Sequence, residues 1–115
     1  KQQRQQKLLK LKKLRAFLVE IFNKMAKANI MIDNDKTRVT EWSFEVGDET
    51  GQHIHEYDYV VVPMLDGELK IVNHDGETTI SKLTQGNSYF REKGVNHNVL
   101  NNNDFPYRFV EIEFK

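Results

Sequence analysis

The stretch that decides the fold is Gln52-His53-Ile54-His55-Glu56-Tyr57-Asp58-Tyr59-Val60-Val61-Val62-Pro63. Its β-branched and aromatic residues predict an extended strand. Alternation then puts His53, His55, Tyr57 and Tyr59 on one face, with Glu56 and Asp58 on the other unless a bulge intervenes. Two imidazoles two residues apart on one strand face have the spacing of a chelate. A third, His97, lies in the strand-like run Val95-Asn96-His97-Asn98-Val99-Leu100 and can meet the pair across the interior of a barrel without any sequence proximity. One histidine alone would more commonly pack or hydrogen-bond. Three that converge suit Fe(II), Mn(II), Ni(II), Cu(II) or Zn(II), with coordination positions left for water or substrate.

Outward from this stretch the chain keeps a strand rhythm. Upstream, Arg38-Val39-Thr40-Glu41-Trp42-Ser43-Phe44-Glu45-Val46 alternates, with Trp42, Phe44 and Val46 on one face. Turn signals recur at Gly47-Asp48, Thr50-Gly51, Asp66-Gly67, Asp75-Gly76, Gln85-Gly86, Lys93-Gly94 and Asn103-Asp104-Phe105-Pro106. The two Asp-Gly pairs predict tight type I′ hairpins, in which both residues take positive φ. The final run sets Val110, Ile112 and Phe114 against Tyr107, Phe109, Glu111 and Glu113. Seven or eight short strands without an intervening helix predict an all-β sandwich or barrel.

Before residue 29 the pattern is different. Leu11, Leu14, Leu18, Ile21, Phe22 and Met25 recur at steps of three and four among lysines and arginines, which predicts a cationic amphipathic helix from Lys7 to Ala28. Residues 1–28 carry nine Lys/Arg and one acid, and the rest of the chain eight basic and sixteen acidic residues. The net charge of zero therefore divides into +8 and −8, and two parts are expected: residues 1–28, a helix or leader, and residues 29–115, a β-barrel domain. Met25 would serve as a start residue, so residues 1–24 read equally as a processed leader, an extension or upstream translation. An acidic barrel predicts no nucleic-acid partner. With no cysteine, disulfides, thiol nucleophiles and Cys-based zinc sites are excluded. No apolar run reaches a membrane span, and the expected location is cytoplasmic. Hydrolase triads, phosphate-cradling glycine loops and nucleotide fingerprints have no support.

The glycines around the histidines carry a resemblance. Gly47, five residues, His53-Ile54-His55 and later Gly67 follow the first motif of the cupin superfamily. Gly86, Gly94, His97 and Asn101 follow the second, with Glu92 where that motif usually has proline. The two cover about half of the chain, from Gly47 to Asn101. The string 53–63, with Asp66-Gly67, Tyr89-Phe90-Arg91 and Gly94-Val95-Asn96-His97-Asn98, is similar to small bacterial stand-alone cupins associated with β-alanine degradation. The resemblance implies a single cupin jelly-roll barrel behind the N-terminal helix, a homodimer, and one divalent transition metal per chain (Fe, Mn, Zn or Ni) on His53, His55 and His97. One departure matters. The glutamate ligand of the first motif is missing, and Tyr59 and Val60 stand in its region.

A three-histidine centre with open coordination follows, and Tyr59 is the candidate catalytic residue beside it: a weak ligand, a hydrogen-bond donor to substrate or an acid/base group. A buried structural tyrosine is the competing reading. Tyr57, Arg91 and Arg108 are candidate substrate contacts, the arginines as carboxylate clamps, although a solvated strand face is the commoner setting for an arginine. Glu111 faces either the site or solvent, and His74 belongs to a surface turn. The expected function is a metal-dependent enzyme on a small polar metabolite, of dioxygenase, isomerase or decarboxylase type. The alternative is a non-catalytic module that binds a small ligand or metal. A third reading places the basic helix, residues 1–24, at a membrane surface.

Overall fold

The computed structural model describes residues 2–115, with residues 19–23 described by their backbone alone. Helix α1 (Gln2–Asn23) is followed by nine strands: β1 (Lys27–Asp33), β2 (Thr37–Phe44), β3 (His53–Ile54), β4 (Asp58–Pro63), β5 (Gly67–Asn73), β6 (Thr78–Leu83), β7 (Tyr89–Arg91), β8 (Asn96–Leu100) and β9 (Tyr107–Phe114). They form two antiparallel sheets, β1-β2-β9-β4-β7 and β3-β8-β5-β6. Apolar side chains from the inner faces fill the space between: Phe44, Tyr59, Val61, Leu69, Leu83, Val99, Tyr107 and Phe109 are all buried. The fold is the expected all-β jelly roll behind a helix. Among the described residues, no helix is long and apolar enough to cross a membrane.

The helix ends at Asn23 rather than Ala28. Its C-terminal neighbours are claimed by the sheets: Glu49 N–H donates to the Lys24 carbonyl at 2.9 Å and Ala26 N–H to the Glu49 carbonyl at 2.8 Å. Lys27 and Ala28 then pair with Ser43 and Trp42 of β2. Helical periodicity ran on through these residues because it cannot register a pairing partner elsewhere in the chain. Leu11, Leu14 and Leu18 of the apolar stripe are each more than half exposed. The Ile21 and Phe22 side chains lie outside the described residues.

The upstream strand stops at Phe44, before the predicted Val46. Buried Asp48 takes the Glu45 N–H on its carboxylate at 2.8 Å and returns its own N–H to the Glu45 carbonyl at 3.0 Å. That turn leaves Val46 exposed. Neither Asp-Gly pair makes a type I′ turn, because glycines alone have positive φ. Asp75-Gly76 closes a three-residue loop with only Gly76 left-handed (φ 86°). Gly67 instead begins β5 against the Tyr107 ring, where an added Cβ would sit 2.8 Å from a ring carbon.

The inward row of β9 sets the polarity of the barrel. Tyr107 and Phe109 are buried at one end, Glu111 and Glu113 at the other. The row of β8 changes in the same way, from Val99 to His97. One end is thus an apolar plug and the other holds ionisable groups. Asn101 seals the plug: its side-chain NH2 donates to the Phe105 carbonyl at 3.0 Å and the Glu45 carbonyl at 3.2 Å, and its Oδ1 accepts from Asn103 N–H and Nδ2 at 3.0 and 2.7 Å. Asn101→Ala strands these buried partners. It is expected to cost about 2 kcal/mol, read in thermal melts as a Tm lower by roughly 10 °C.

Candidate metal centre

His53 and His97 are directly opposed partners on β3 and β8. His55 lies just past β3, where its N–H donates to the Val95 carbonyl at 2.9 Å and its carbonyl accepts from Gly94 N–H at 2.8 Å. The chain then crosses to the other sheet and resumes as β4. The single strand predicted over Gln52 to Val62 is therefore two, but the alternation of His53, His55 and Tyr59 survives the crossing.

Three ring nitrogens converge. His55 Nε2 lies 3.1 Å from His53 Nε2 and 3.1 Å from His97 Nε2, and the three potential ligand atoms are within 4.8 Å of one another. His53 Nδ1 is 2.8 Å from the Gly51 carbonyl. A carbonyl only accepts, so Nδ1 carries the proton and Nε2 presents a lone pair to the cluster. His55 Nε2 has one proton or one lone pair and satisfies one neighbour at most. A single cation satisfies all three lone pairs together. The two separations from His55 agree with this: nitrogens about 2.1 Å from one ion, at roughly right angles, lie about 3 Å apart. Burial, reinforced by His53, pushes His55 down to about 4. Burial, then the neighbouring histidines and Arg91, pushes His97 down to about 3. Both rings are neutral at physiological pH, the form that ligates.

Tyr59 stands where the family glutamate would, but its ring stacks on His55 at 3.8 Å between centroids, 14° from parallel. It fixes the His55 plane while its hydroxyl is raised by burial and then by Glu111. The metal-competent group among the described residues is the three histidines alone.

Two cavities flank the centre. One, about 330 Å³, is lined by Tyr59, Tyr89, Arg91, His97, Glu111 and the apolar residues of β4, β5 and β8. The other, about 280 Å³, meets His53 and His55 with Arg38, Trp42, Glu111 and Glu113. Glu111 lines both, which settles its orientation as inward. Tyr57 lies outside both linings, its ring beneath the Arg38 guanidinium at 5.9 Å. Arg108 is also not brought to the centre: strand parity turns it outward beside Glu41, 4.0 Å away. Arg91 is at the cavity, its guanidinium 4.6 Å from the Tyr89 ring centroid. His74 is exposed in the β5–β6 turn.

Sequence reasoning left Glu111 open and overlooked Arg38, which holds buried Glu113 bidentately at 2.8 and 2.9 Å. Burial and then the neighbouring Glu113 push Glu111 up to about 7, against a smaller opposing pull from Arg38. The Glu111 carboxyl makes no hydrogen bond or ion pair with the described residues.

Two antiparallel sheets closing over an inward three-histidine cluster define a cupin, and the chain belongs to that family: the cupin domain model matches residues 40–113. Among individual proteins it is similar to the β-alanine degradation protein BauB of Pseudomonas aeruginosa, 45% identical over 86 residues that cover 75% of this chain and 90% of that one. A cupin domain from Bordetella pertussis Tohama I, known from its crystal structure, is 49% identical with a TM-score of 0.76, covering 79% of this chain and 94% of its own. The polyketide cyclase RemF of Streptomyces resistomycificus, 21% identical with a TM-score of 0.63 over 79% of this chain and 66% of its own, shares the fold.

Proposed function

We propose that this cupin is a metal-dependent enzyme acting on a small polar metabolite, with one divalent transition metal (Fe, Mn, Zn or Ni) held by His53, His55 and His97. The observation that carries this reading is the convergence of three neutral imidazoles beside a cavity of about 330 Å³. When bound, such a metal supplies Lewis-acid or oxygen-activating chemistry of the kind isomerases, decarboxylases and dioxygenases use. The chain's own residues do the remainder. The Gly51 carbonyl fixes the His53 tautomer and Tyr59 fixes the His55 ring. The apolar walls Val61, Leu69, Ile71 and Val99 exclude water, and Arg91 offers a carboxylate contact at the cavity. Likeness to the β-alanine degradation protein supports a substrate from the breakdown of small amino or oxo acids. We place the protein in the cytoplasm as a homodimer; the edge strand β1, with Ile30, Met31 and Ile32 exposed, supports self-association.

A second reading, a binding module without catalysis, is favoured by Tyr59, which packs on His55 where the family's fourth ligand would be. Metal analysis combined with a turnover assay separates the two. Protein expressed with iron, manganese, zinc and nickel available is expected to hold about one metal per chain. NMR should then detect turnover of β-alanine or of three-carbon oxo and hydroxy acids, and a chelator should abolish it. Stoichiometric metal with every compound unchanged leaves the binding module. Absence of metal sinks both metal readings.

A further inference from the structure

The large cavity contains one carboxyl and one guanidinium, and neither has an ionic partner. Glu111 is 8% exposed, and its carboxyl makes no hydrogen bond or ion pair with the described residues. The nearby cation that would answer it, Arg38, has its guanidinium committed to Glu113 by two hydrogen bonds. A buried carboxyl with no partner is costly, and native interiors rarely keep one without a use. Arg91, solvent-exposed where it lines the cavity, rests on the Tyr89 ring and donates to the Phe90 carbonyl at 2.9 Å, and no described carboxylate pairs with it.

The sheet register places the two on one inner face, displaced from each other. Glu111 is opposite Val61, which is opposite Tyr89. One inward row further along, Glu113 is opposite Tyr59, which is opposite Arg91. Glu111 and Arg91 are thus on the same inner face, two strands apart and one row displaced. Strands spaced about 4.8 Å apart, rising about 3.4 Å per residue, put their Cα atoms roughly 12 Å from each other. From these positions the two side chains form no ion pair with each other. Tyr59, Tyr89, Arg91 and Glu111 all line this one cavity.

We propose that Glu111 and Arg91 form a zwitterion-recognising pair: the cavity takes a small linear amino carboxylate, its ammonium donating to the Glu111 carboxylate and its carboxylate accepting from Arg91. This rests on the metal-enzyme reading for its purpose but not for its test. The pair sets which small molecule is presented beside His97, and each half of the ligand supplies the counter-charge its protein partner lacks. Apolar lining from Val61, Ile71 and Val95 suits the short methylene link between the charged ends.

The test is calorimetric titration of the full chain, loaded with zinc, with three probes of matched length: β-alanine, propionate and propylamine. β-Alanine is expected to bind at least about tenfold more tightly than either single-ended probe, since each charge-assisted hydrogen bond contributes more than a neutral one. Glu111→Gln should erase the preference over propionate, and Arg91→Gln the preference over propylamine. A wild-type protein that binds β-alanine no better than the truncated probes overturns the proposal. So does a folded Glu111→Gln protein that keeps the full preference. If Glu111→Gln does not fold, the Arg91→Gln titration decides by itself. Zinc content measured on the same samples separates the two ideas. Failure to hold zinc counts against the metal enzyme, while the probe preferences report on the pair alone.

Discussion

His97→Ala is expected to strip the protein of metal, from about one ion per chain to well below one, measured by elemental analysis after dialysis against metal-free buffer. The three Nε2 atoms leave no fourth protein ligand to compensate, since the described metal-competent group ends at His53, His55 and His97. Loss of a partner that only orients a ligand costs 10–100-fold in affinity, so losing a ligand itself should cost more. Thermal melts give a second readout. Metal at about 100 times its Kd should stabilise the wild type by roughly 2.7 kcal/mol and leave His97→Ala unmoved. The pH dependence has a definite sign: His55 at about 4 and His97 at about 3 resist protonation, so protons displace metal from those two rings only in strong acid. A variant that keeps one metal per chain would place the ion somewhere else.

What the sequence disclosed about this centre was everything that depends on local alternation. His53 and His55 two apart, and His97 in a separate short strand, needed no tertiary information beyond the existence of an interior. What it hid depends on partners distant in the chain. Lys27 and Ala28 are strand because β2 pairs with them, and no local periodicity reports that. The single run from Gln52 to Val62 splits because His55 is held by Val95 and Gly94 on one sheet, and Asp58 pairs with Phe114 on the other. Glu111 was ambiguous because β9 has apolar residues on both faces. One signal was available: Tyr107 and Phe109 are the larger side chains, and a core that claims them carries Glu111 and Glu113 inward at the same parity. Arg38 then follows, since a carboxylate buried at Glu113 is stabilised by a paired cation.

Glu111→Gln is expected to make the metal-free protein more stable at alkaline pH, the opposite of what truncating most buried residues does. The sign follows from the carboxyl's position. Its folded value is raised from 4.5 to about 7 by burial and Glu113, so the folded state is unpenalised below the unfolded value and loses stability as pH rises through 7. Fully ionised, the buried carboxylate costs about 3 kcal/mol relative to its solvated form. Glutamine never ionises, and all other titrating groups are shared by the two proteins. Their stability difference, measured by urea unfolding, should therefore widen in the variant's favour by about 2–3 kcal/mol between pH 5 and pH 8. A constant difference across that range would mean that Glu111 is already ionised and compensated at neutral pH. A widening difference, in a variant that has also lost its preference for β-alanine, would identify a residue kept at a stability cost for what it binds. That combination is the signature of a functional group rather than a structural one.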